Sequence, residues 1–225
     1  MNWKFFIFAI LWIAVSAAAA FLGGRHWYFV FCMTPGFLLF NGIRLAVLRR
    51  RKEWLAWCGL AATMIGDYFL VYHGFGRHNP GFFGGVAGFS LAQVFFIIYF
   101  ALTGGFKYPV AAAGFIIACA VLFAARAEIS PTLLAALAGY GLLSAVSLSG
   151  AVKSDTLWFP AGVGLLFISD ITIALNWIVE PDINIITSLT YLSALICFAF
   201  AVAVTGNRKI NLTDTSASTP QQLPD

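Results

Sequence analysis

Long apolar runs, separated by short polar gaps, follow one another along almost the whole chain. Each run is close to the ~20 residues that a membrane-spanning helix needs. The runs are continuously apolar and too long for transmembrane β-strands, so the pattern predicts helices and not a barrel. We predict eight spans, at residues 4–22, 27–48, 54–72, 81–102, 107–125, 131–149, 157–179 and 183–205.

The composition is typical of a polytopic membrane protein. Of the 225 residues, 61% are hydrophobic and only 10% are charged, against the ~25% charged residues of ordinary soluble domains. Nearly all charges fall in the gaps, so the net charge of +4 is a signal of topology and not of nucleic-acid binding. We expect one all-α transmembrane domain, residues 1–206, followed by a disordered polar tail, residues 207–225.

The distribution of Lys and Arg predicts the orientation of this eight-helix bundle. The gap at 49–53 carries four basic residues, which places it in the cytoplasm by the positive-inside rule. Both termini then lie on the cytoplasmic side, which holds nine basic residues against three on the opposite side. We therefore expect a multi-pass protein of the cell (inner) membrane.

The first run has a second interpretation. Residues 1–20 have a basic start, an apolar stretch and small residues, as a signal peptide does. The apolar run continues through Phe21 and Leu22, which favours a retained first helix. Cleavage would leave seven spans with the N-terminus outside.

Two stretches resemble each other. Residues 59–70 and 162–173 both have a Gly eight residues before an Asp that follows a small residue, and they lie on the third and seventh spans. A 4+4 parallel repeat would explain the match, and so would chance among Gly-rich apolar helices.

Two aspartates, Asp67 and Asp170, lie well inside these spans. Both are roughly 7–14 Å below the outer ends of their spans at ~1.5 Å per residue, so their depths are similar. A charge at such depth is costly, and residues of this kind usually face the interior of a bundle. A third ionisable residue within the spans, Arg44, lies one turn from the basic gap, so its side chain can extend to the membrane interface. The aspartates are therefore candidates for catalysis, with a structural hydrogen-bonded role as the alternative.

Other polar side chains fall at the same depth as the aspartates. A polar face at one depth on several helices is what a buried pocket in the outer half would need. The residues are Thr34, Gln93, Tyr140 with Ser144 and Ser147, and Tyr191 with Thr187. Single Ser or Thr residues in spans more often bond their own backbone, so the common depth carries this prediction.

Metal and serine chemistry are not supported. The three histidines, His26, His73 and His78, all fall near the outer surface, and none pairs with a carboxylate on one helix face. The chain has no G-x-S-x-G sequence. We expect neither a metal nor a cofactor.

Three stretches together resemble the YhhN family of multi-pass membrane proteins, which includes the lysoplasmalogenases. They are "MIGDYFLVY" at 64–72, "GGVAGFSLAQVFFIIYF" at 84–100 and "GVGLLFISDITIALNWI" at 162–178. The third matches the family stretch F-x-x-S-D-x-x-x-A-x-N through Phe167, Ser169, Asp170, Ala174 and Asn176. The resemblance extends over the eight spans.

The resemblance implies an activity and its residues. The implied reaction is hydrolysis of the vinyl-ether bond of a lysoplasmalogen, a lysophospholipid, to a fatty aldehyde and a glycerophospho-alcohol. The catalytic pair would be Asp67 and Asp170. From the common depth of the polar residues, and for Asn176 from the third matching stretch, we expect Thr34, Gln93, Tyr140, Asn176 and Tyr191 to contact the substrate.

Three positions depart from the family's usual pattern. Thr34 stands where a Lys is usual, Gln93 where a His is usual, and Ala194 where a Gln is usual. Two positive partners for a lipid phosphate or for the carboxylates are thereby lost. A different substrate, or loss of activity, stays open on the sequence.

Two carboxyl groups suit the implied chemistry. Acid hydrolysis of a vinyl ether begins with proton transfer to carbon and forms an oxocarbenium ion, a cation that glycosidases also stabilise with paired carboxylates. One carboxyl must be neutral, which an apolar environment favours, and the other ionised. The sequence does not assign the acid, although the more apolar surroundings of Asp170 favour that residue.

Two further function classes compete with a hydrolase. An intramembrane aspartyl protease fits poorly, because Met64 occupies the first Gly position of a G-x-G-D motif and Ser169, not Tyr, precedes Asp170. A proton-coupled transporter or a non-catalytic lipid-binding protein would also use paired carboxylates in a bundle.

Overall fold

A computed structural model of the chain describes residues 27–48, 52–73, 80–179 and 184–217, together with residues 7, 10–12, 14 and 15 of the first predicted span. All regular structure in these residues is helical. The helices are α1 (Trp27–Leu48), α2 (Glu53–His73), α3 (Pro80–Thr103), α4 (Tyr108–Ala125), α5 (Pro131–Ala151), α6 (Trp158–Val179) and α7 (Asn184–Ala217). The described residues of the first span are helical too, which makes eight helices.

The prediction of an all-helical fold is confirmed, and α1 to α6 begin and end within about two residues of the predicted spans. The last helix differs, because α7 runs to Ala217 and therefore enters the segment 207–225 that the sequence analysis assigned to a disordered tail. Among the residues that the structure describes, four helices are long and apolar enough to cross a membrane, namely α3, α4, α5 and α6. This is the pattern of a membrane protein.

Local sequence signals set several helix ends. Ser130 caps α5, because its side-chain oxygen accepts a hydrogen bond from the backbone N–H of Leu133, and Pro131 follows at the first helical position. Gly105 lies in the turn between α3 and α4 with a φ of +76°, a conformation that favours glycine. The turn is tied to α5, since the Lys107 N–H donates to the Ser149 carbonyl oxygen at 3.2 Å.

The backbones of α2 and α3 touch where two glycines cross. A Cβ atom on Gly88 would lie 2.5 Å from the backbone nitrogen of Gly66 and 2.7 Å from its Cα atom. Small residues at such crossings let helices approach closely in membrane proteins. Because Asp67 follows Gly66, this crossing also fixes the position of the Asp67 carboxylate.

We expect Gly88→Ala to destabilise the protein, because the added methyl group has only the Gly66 backbone to push against. Overpacking of this kind costs about 1–3 kcal/mol. Gly139→Ala is the matched control, since a Cβ atom there would meet nothing within 4 Å. Thermal unfolding in detergent checks the prediction: Gly88→Ala should melt well below the wild type, and Gly139→Ala at or above it. Equal melting of the two variants would contradict close backbone contact at this crossing.

The half of the bundle that contains His73, Pro80, Ala125 and Pro131 is here named the outer half, after the predicted orientation. The opposite, inner half is packed with aromatic rings. Phe96 and Phe198 stack with centroids 4.8 Å apart, and the Phe159 ring lies 5.1 Å from Tyr99 and 5.4 Å from Phe100. The inner half is therefore densely packed with aromatic side chains.

Helix pairing follows a regular scheme. The most extensive contacts join α2 with α3 and α6 with α7, and weaker pairs join α3 with α5 and α7 with α1. With the first span counted as a helix, moving four helices along the chain relates the α2–α3 contact to the α6–α7 contact. The same shift relates the α3–α5 contact to the α7–α1 contact. This is the arrangement that a 4+4 parallel repeat would produce.

Candidate active site

Asp67 lies on α2 and is buried, with 5% of its surface exposed. The Tyr191 hydroxyl of α7 is 2.7 Å from both carboxylate oxygens and donates to them. The Thr34 hydroxyl of α1 donates to Oδ2 at 3.5 Å. Buried carboxylates need such partners, because an unpaired charge in an apolar interior is costly. Three helices thus converge on the Asp67 carboxylate.

Phe89 of α3 lies next to this cluster. Its ring packs edge-on against the Tyr191 ring, with centroids 6.1 Å apart and an interplanar angle of 86°. It also occupies the space that a side chain at Gly66 would need, since a Cβ atom there would lie 2.9 Å from the ring. Phe89 therefore holds Tyr191 in the orientation in which its hydroxyl reaches Asp67.

Asp170 lies on α6 and is only half-buried. The Tyr140 hydroxyl of α5 donates to its Oδ2 atom at 2.7 Å. Tyr140 itself is buried. The pair links α5 to α6 beside the cavity described next.

A cavity of about 80 Å³ opens beside Asp170. Residues from α2 to α6 line it, and nearly all of them are apolar, among them Phe89, Ala118 and Leu122. The polar side chains on its wall are Asp170, Tyr140 and Ser144. About 10–15 Å³ of such space is enough for one water, so the cavity can admit several waters or part of an alkyl chain.

The two carboxyl groups lie in neighbouring clusters and not in one shared pocket. Asp170 lines the cavity, whereas Asp67 is not among the residues that line it. Phe89 connects the two clusters, because it lines the cavity and packs on Tyr191.

A hydrogen-bonded seam fixes α6 against α7. The Thr172 and Thr187 hydroxyls are 2.8 Å apart, and the Ser169 hydroxyl donates to the Thr187 carbonyl oxygen at 3.2 Å. Asp170 follows Ser169, and Tyr191 lies one turn after Thr187. The seam therefore holds Asp170 and Tyr191 in a fixed relation to each other.

Gln93 and Ser144 lie beside the Tyr140 hydroxyl, on α3 and α5. Each is 1% exposed, and Ser147, at 0%, follows one turn further along α5. The Gln93 Oε1 atom and the hydroxyls of Ser144 and Ser147 have no hydrogen-bond partner among the residues that the structure describes. Polar atoms of this kind are uncommon in protein interiors, so each needs a physical explanation.

The structure brings the sequence-predicted residues together in two sets. Thr34, Asp67 and Tyr191 form one, and Gln93, Tyr140 and Asp170 form the other. The side chain of Asn176 lies outside the described residues, as do those of Arg44 and the three histidines. Ala194 is fully buried in the apolar core.

Phe89 and the cavity wall were not predicted as parts of the site. Apolar residues that line a cavity have the same sequence pattern as those that face lipid or the core. The glycines at the start of α3, Gly84, Gly85 and Gly88, indicate close packing against a neighbouring helix but not the position of Phe89. Among the described residues, no three His, Cys, Asp or Glu side chains come together as a metal site would require.

Comparisons with known proteins bear on the family. No curated protein and no solved structure matches the chain. A model of the YhhN family matches residues 3–202, which is most of the chain and includes Asp67, Asp170 and every helix that contributes to the cavity. The chain therefore belongs to the YhhN family.

Proposed function

We propose that the protein is a membrane-embedded lipid hydrolase that cleaves the vinyl-ether bond of a lysoplasmalogen. The products are a fatty aldehyde and a glycerophospho-alcohol. The observation that carries the proposal is the position of Asp170 on the wall of an apolar cavity inside the bundle. Membership in the YhhN family supports it, because the resemblance to that family implies this activity.

The cavity suits the substrate because a vinyl ether joins an alkyl chain to a polar glycerol group. The first methylenes beyond the double bond can enter an apolar space of about 80 Å³, where each buried CH₂ contributes ~0.8 kcal/mol to binding. The double bond then lies at the edge of the cavity, next to Asp170. The remaining chain and the head group stay among lipids and water.

Asp170 is the proton donor in this proposal. Its carboxyl group transfers a proton to the vinyl carbon that is not bonded to oxygen, and the positive charge is shared by the other carbon and the ether oxygen. An apolar surrounding keeps a carboxyl group neutral, and so ready to donate. The hydrogen bond from Tyr140 orients the group towards the cavity.

Asp67 acts as the ionised partner. It accepts hydrogen bonds on both oxygens, from Tyr191 and Thr34, as a carboxylate does. A negative charge fixed close to a developing cation stabilises it strongly where water is excluded. Thr34 stands where a Lys is usual in the family, and it supplies a hydrogen bond without neutralising that charge.

Water completes the reaction. It adds to the carbon next to oxygen and gives a hemiacetal, which collapses to the aldehyde and the free alcohol. The sum of the steps consumes one water per bond broken and returns the proton. We place this chemistry in the outer half of the bundle, with both termini in the cytoplasm, so that the lysophospholipid arrives from the outer leaflet.

The test compares three lysophospholipids with the same head group on the detergent-solubilised protein. One has a vinyl-ether chain, one a saturated ether chain and one an ester chain. We expect fatty aldehyde from the vinyl ether and no cleavage of the other two, since only the vinyl ether has a carbon that accepts a proton. Release of fatty acid from the ester, or no aldehyde from folded protein, would contradict the proposal.

We expect Ala118→Phe to shift the preference towards shorter or less bulky chains, because the new ring would occupy the cavity that Ala118 lines. Ile116→Phe is the matched control on the same helix, since Ile116 is 67% exposed and faces away from the cavity. The kcat/KM for chains of increasing length measures the effect. An unchanged chain profile in a folded Ala118→Phe variant would show that the chain does not enter this cavity.

A further inference from the structure

Three buried polar atoms, on the helix that carries Tyr140 or beside the Tyr140 hydroxyl, lack partners. They are the Gln93 Oε1 atom and the hydroxyls of Ser144 and Ser147, among the residues that the structure describes. An orphaned polar atom in a protein interior is costly, and natural proteins usually satisfy it with a bound water. Two other such atoms belong to Asn41 on α1 and to Thr156 in the connection between α5 and α6.

The position of this group distinguishes it. Ser144 lines the cavity and lies one helical turn after Tyr140, so both side chains are on the same face of α5. Gln93 reaches the same hydroxyl from α3. The Tyr140 hydroxyl donates its proton to Asp170, so its oxygen is left to accept a hydrogen bond from elsewhere.

We infer that Gln93 and Ser144, together with the Tyr140 oxygen, bind the water molecule that attacks the oxocarbenium ion. This inference rests on the proposed function and adds a site to it. The water donates one hydrogen to Gln93 Oε1 and the other to the Tyr140 oxygen, and it accepts from the Ser144 hydroxyl. Its oxygen is then presented to the cavity beside Asp170.

The proton balance of the step follows from these bonds. After Asp170 has given its proton to the substrate carbon, it is a carboxylate. As the water oxygen bonds to the cation, one water proton moves to the Tyr140 oxygen and the Tyr140 proton moves to Asp170. The products of the step are a hemiacetal, a neutral tyrosine and a protonated Asp170, which is ready for the next turnover.

The choice between water and methanol tests the site. Methanol added to the reaction can also capture the cation, and the product is then a mixed methyl acetal in place of the aldehyde. Methanol has a single hydrogen to donate, so it cannot satisfy both Gln93 and Tyr140. The site therefore favours water by about the contribution of one hydrogen bond, which is roughly fivefold.

We expect Gln93→Met to raise the ratio of acetal to aldehyde about fivefold, because it removes the acceptor that only water can use. Ser144→Ala should change the ratio in the same direction, since it opens space for the methyl group. Ser149→Ala is the control, because the Ser149 hydroxyl is buried on the same helix but donates to its own backbone, to Val146. An acetal-to-aldehyde ratio that stays at the wild-type value in both site variants overturns the inference. That unchanged ratio is what a purely structural role of Gln93 and Ser144 would produce.

A second measurement does not depend on turnover. X-ray radiolysis makes radicals from bound water, and they oxidise the side chains that the water touches. We expect Tyr140 to be labelled more than Tyr99, a buried tyrosine of the aromatic core, and the Gln93→Met, Ser144→Ala double variant to lose that excess. Equal labelling of the two tyrosines in the wild type overturns the water site. Absence of both aldehyde and acetal would instead contradict the proposed function, while the labelling still decides the site.

Discussion

Asp170→Asn should all but abolish the release of fatty aldehyde, with a fall in kcat of roughly 10²–10⁴-fold, the contribution of a well-placed general acid. An amide cannot protonate the vinyl carbon, although it keeps the size of the carboxyl group. Its oxygen can still accept the hydrogen bond that Tyr140 donates at 2.7 Å. The variant should therefore fold and bind substrate while losing the chemical step.

Asp155→Asn is the matched control for this substitution. Asp155 is an exposed aspartate in the connection between α5 and α6, remote from the cavity lining. It should retain wild-type turnover and melting temperature. An Asp170→Asn variant that melts normally and still releases aldehyde at the wild-type rate would remove Asp170 from the mechanism.

Asp67→Asn should lower kcat by up to roughly 10²–10³-fold, the loss found when a preorganised electrostatic contact to a transition state is removed, because Asp67 acts from beside the cavity. The substitution removes the negative charge that stabilises the oxocarbenium ion. The Tyr191 and Thr34 hydroxyls can rotate to suit an amide, so the three-helix cluster around position 67 should persist. Because the charge acts on the transition state, KM should change little.

Glu128→Gln controls for the loss of one negative charge at the same end of the bundle. Glu128 is exposed between α4 and α5, where solvent and salt screen its charge, so its removal should leave kcat within about twofold. A rise in KM for Asp67→Asn with unchanged kcat would indicate that Asp67 binds substrate and does not stabilise the cation.

The sequence predicts the helices well because an apolar environment leaves few alternatives. A backbone in lipid must satisfy its own hydrogen bonds, so each long apolar run becomes a helix. This reasoning gives the ends of α1 to α6 to within about two residues. It does not apply to the polar residues after 206, where α7 nevertheless continues to Ala217.

The sequence also gives the depth of polar side chains but not the direction in which they point. Asp67 and Tyr191 could be placed at one level, yet their contact joins residues 124 positions apart. Which helices meet depends on side-chain packing such as the Gly66–Gly88 crossing, which no periodicity in a uniformly apolar helix reveals. For the same reason, the sequence does not predict that Phe89 and the other apolar residues line a cavity.

Separate environments for the two aspartates are the main addition from the structure. The sequence suggested a common two-carboxylate site, on depth and resemblance. In the structure each carboxyl group accepts a hydrogen bond from a different tyrosine, Asp67 from Tyr191 and Asp170 from Tyr140. Of the two aspartates, Asp170 lines the cavity and Asp67 does not. This division of roles is the basis for assigning Asp170 as the acid and Asp67 as the fixed charge.

The measurement that tests the central claim most directly is hydrolysis of a lysoplasmalogen in D₂O, with the aldehyde trapped at once and its mass determined. Proton transfer from Asp170 to carbon predicts one deuterium on the carbon next to the carbonyl group, a slower reaction than in H₂O, and no product from Asp170→Asn. Aldehyde without deuterium at that carbon, or no aldehyde from folded wild-type protein, would contradict acid hydrolysis at this site.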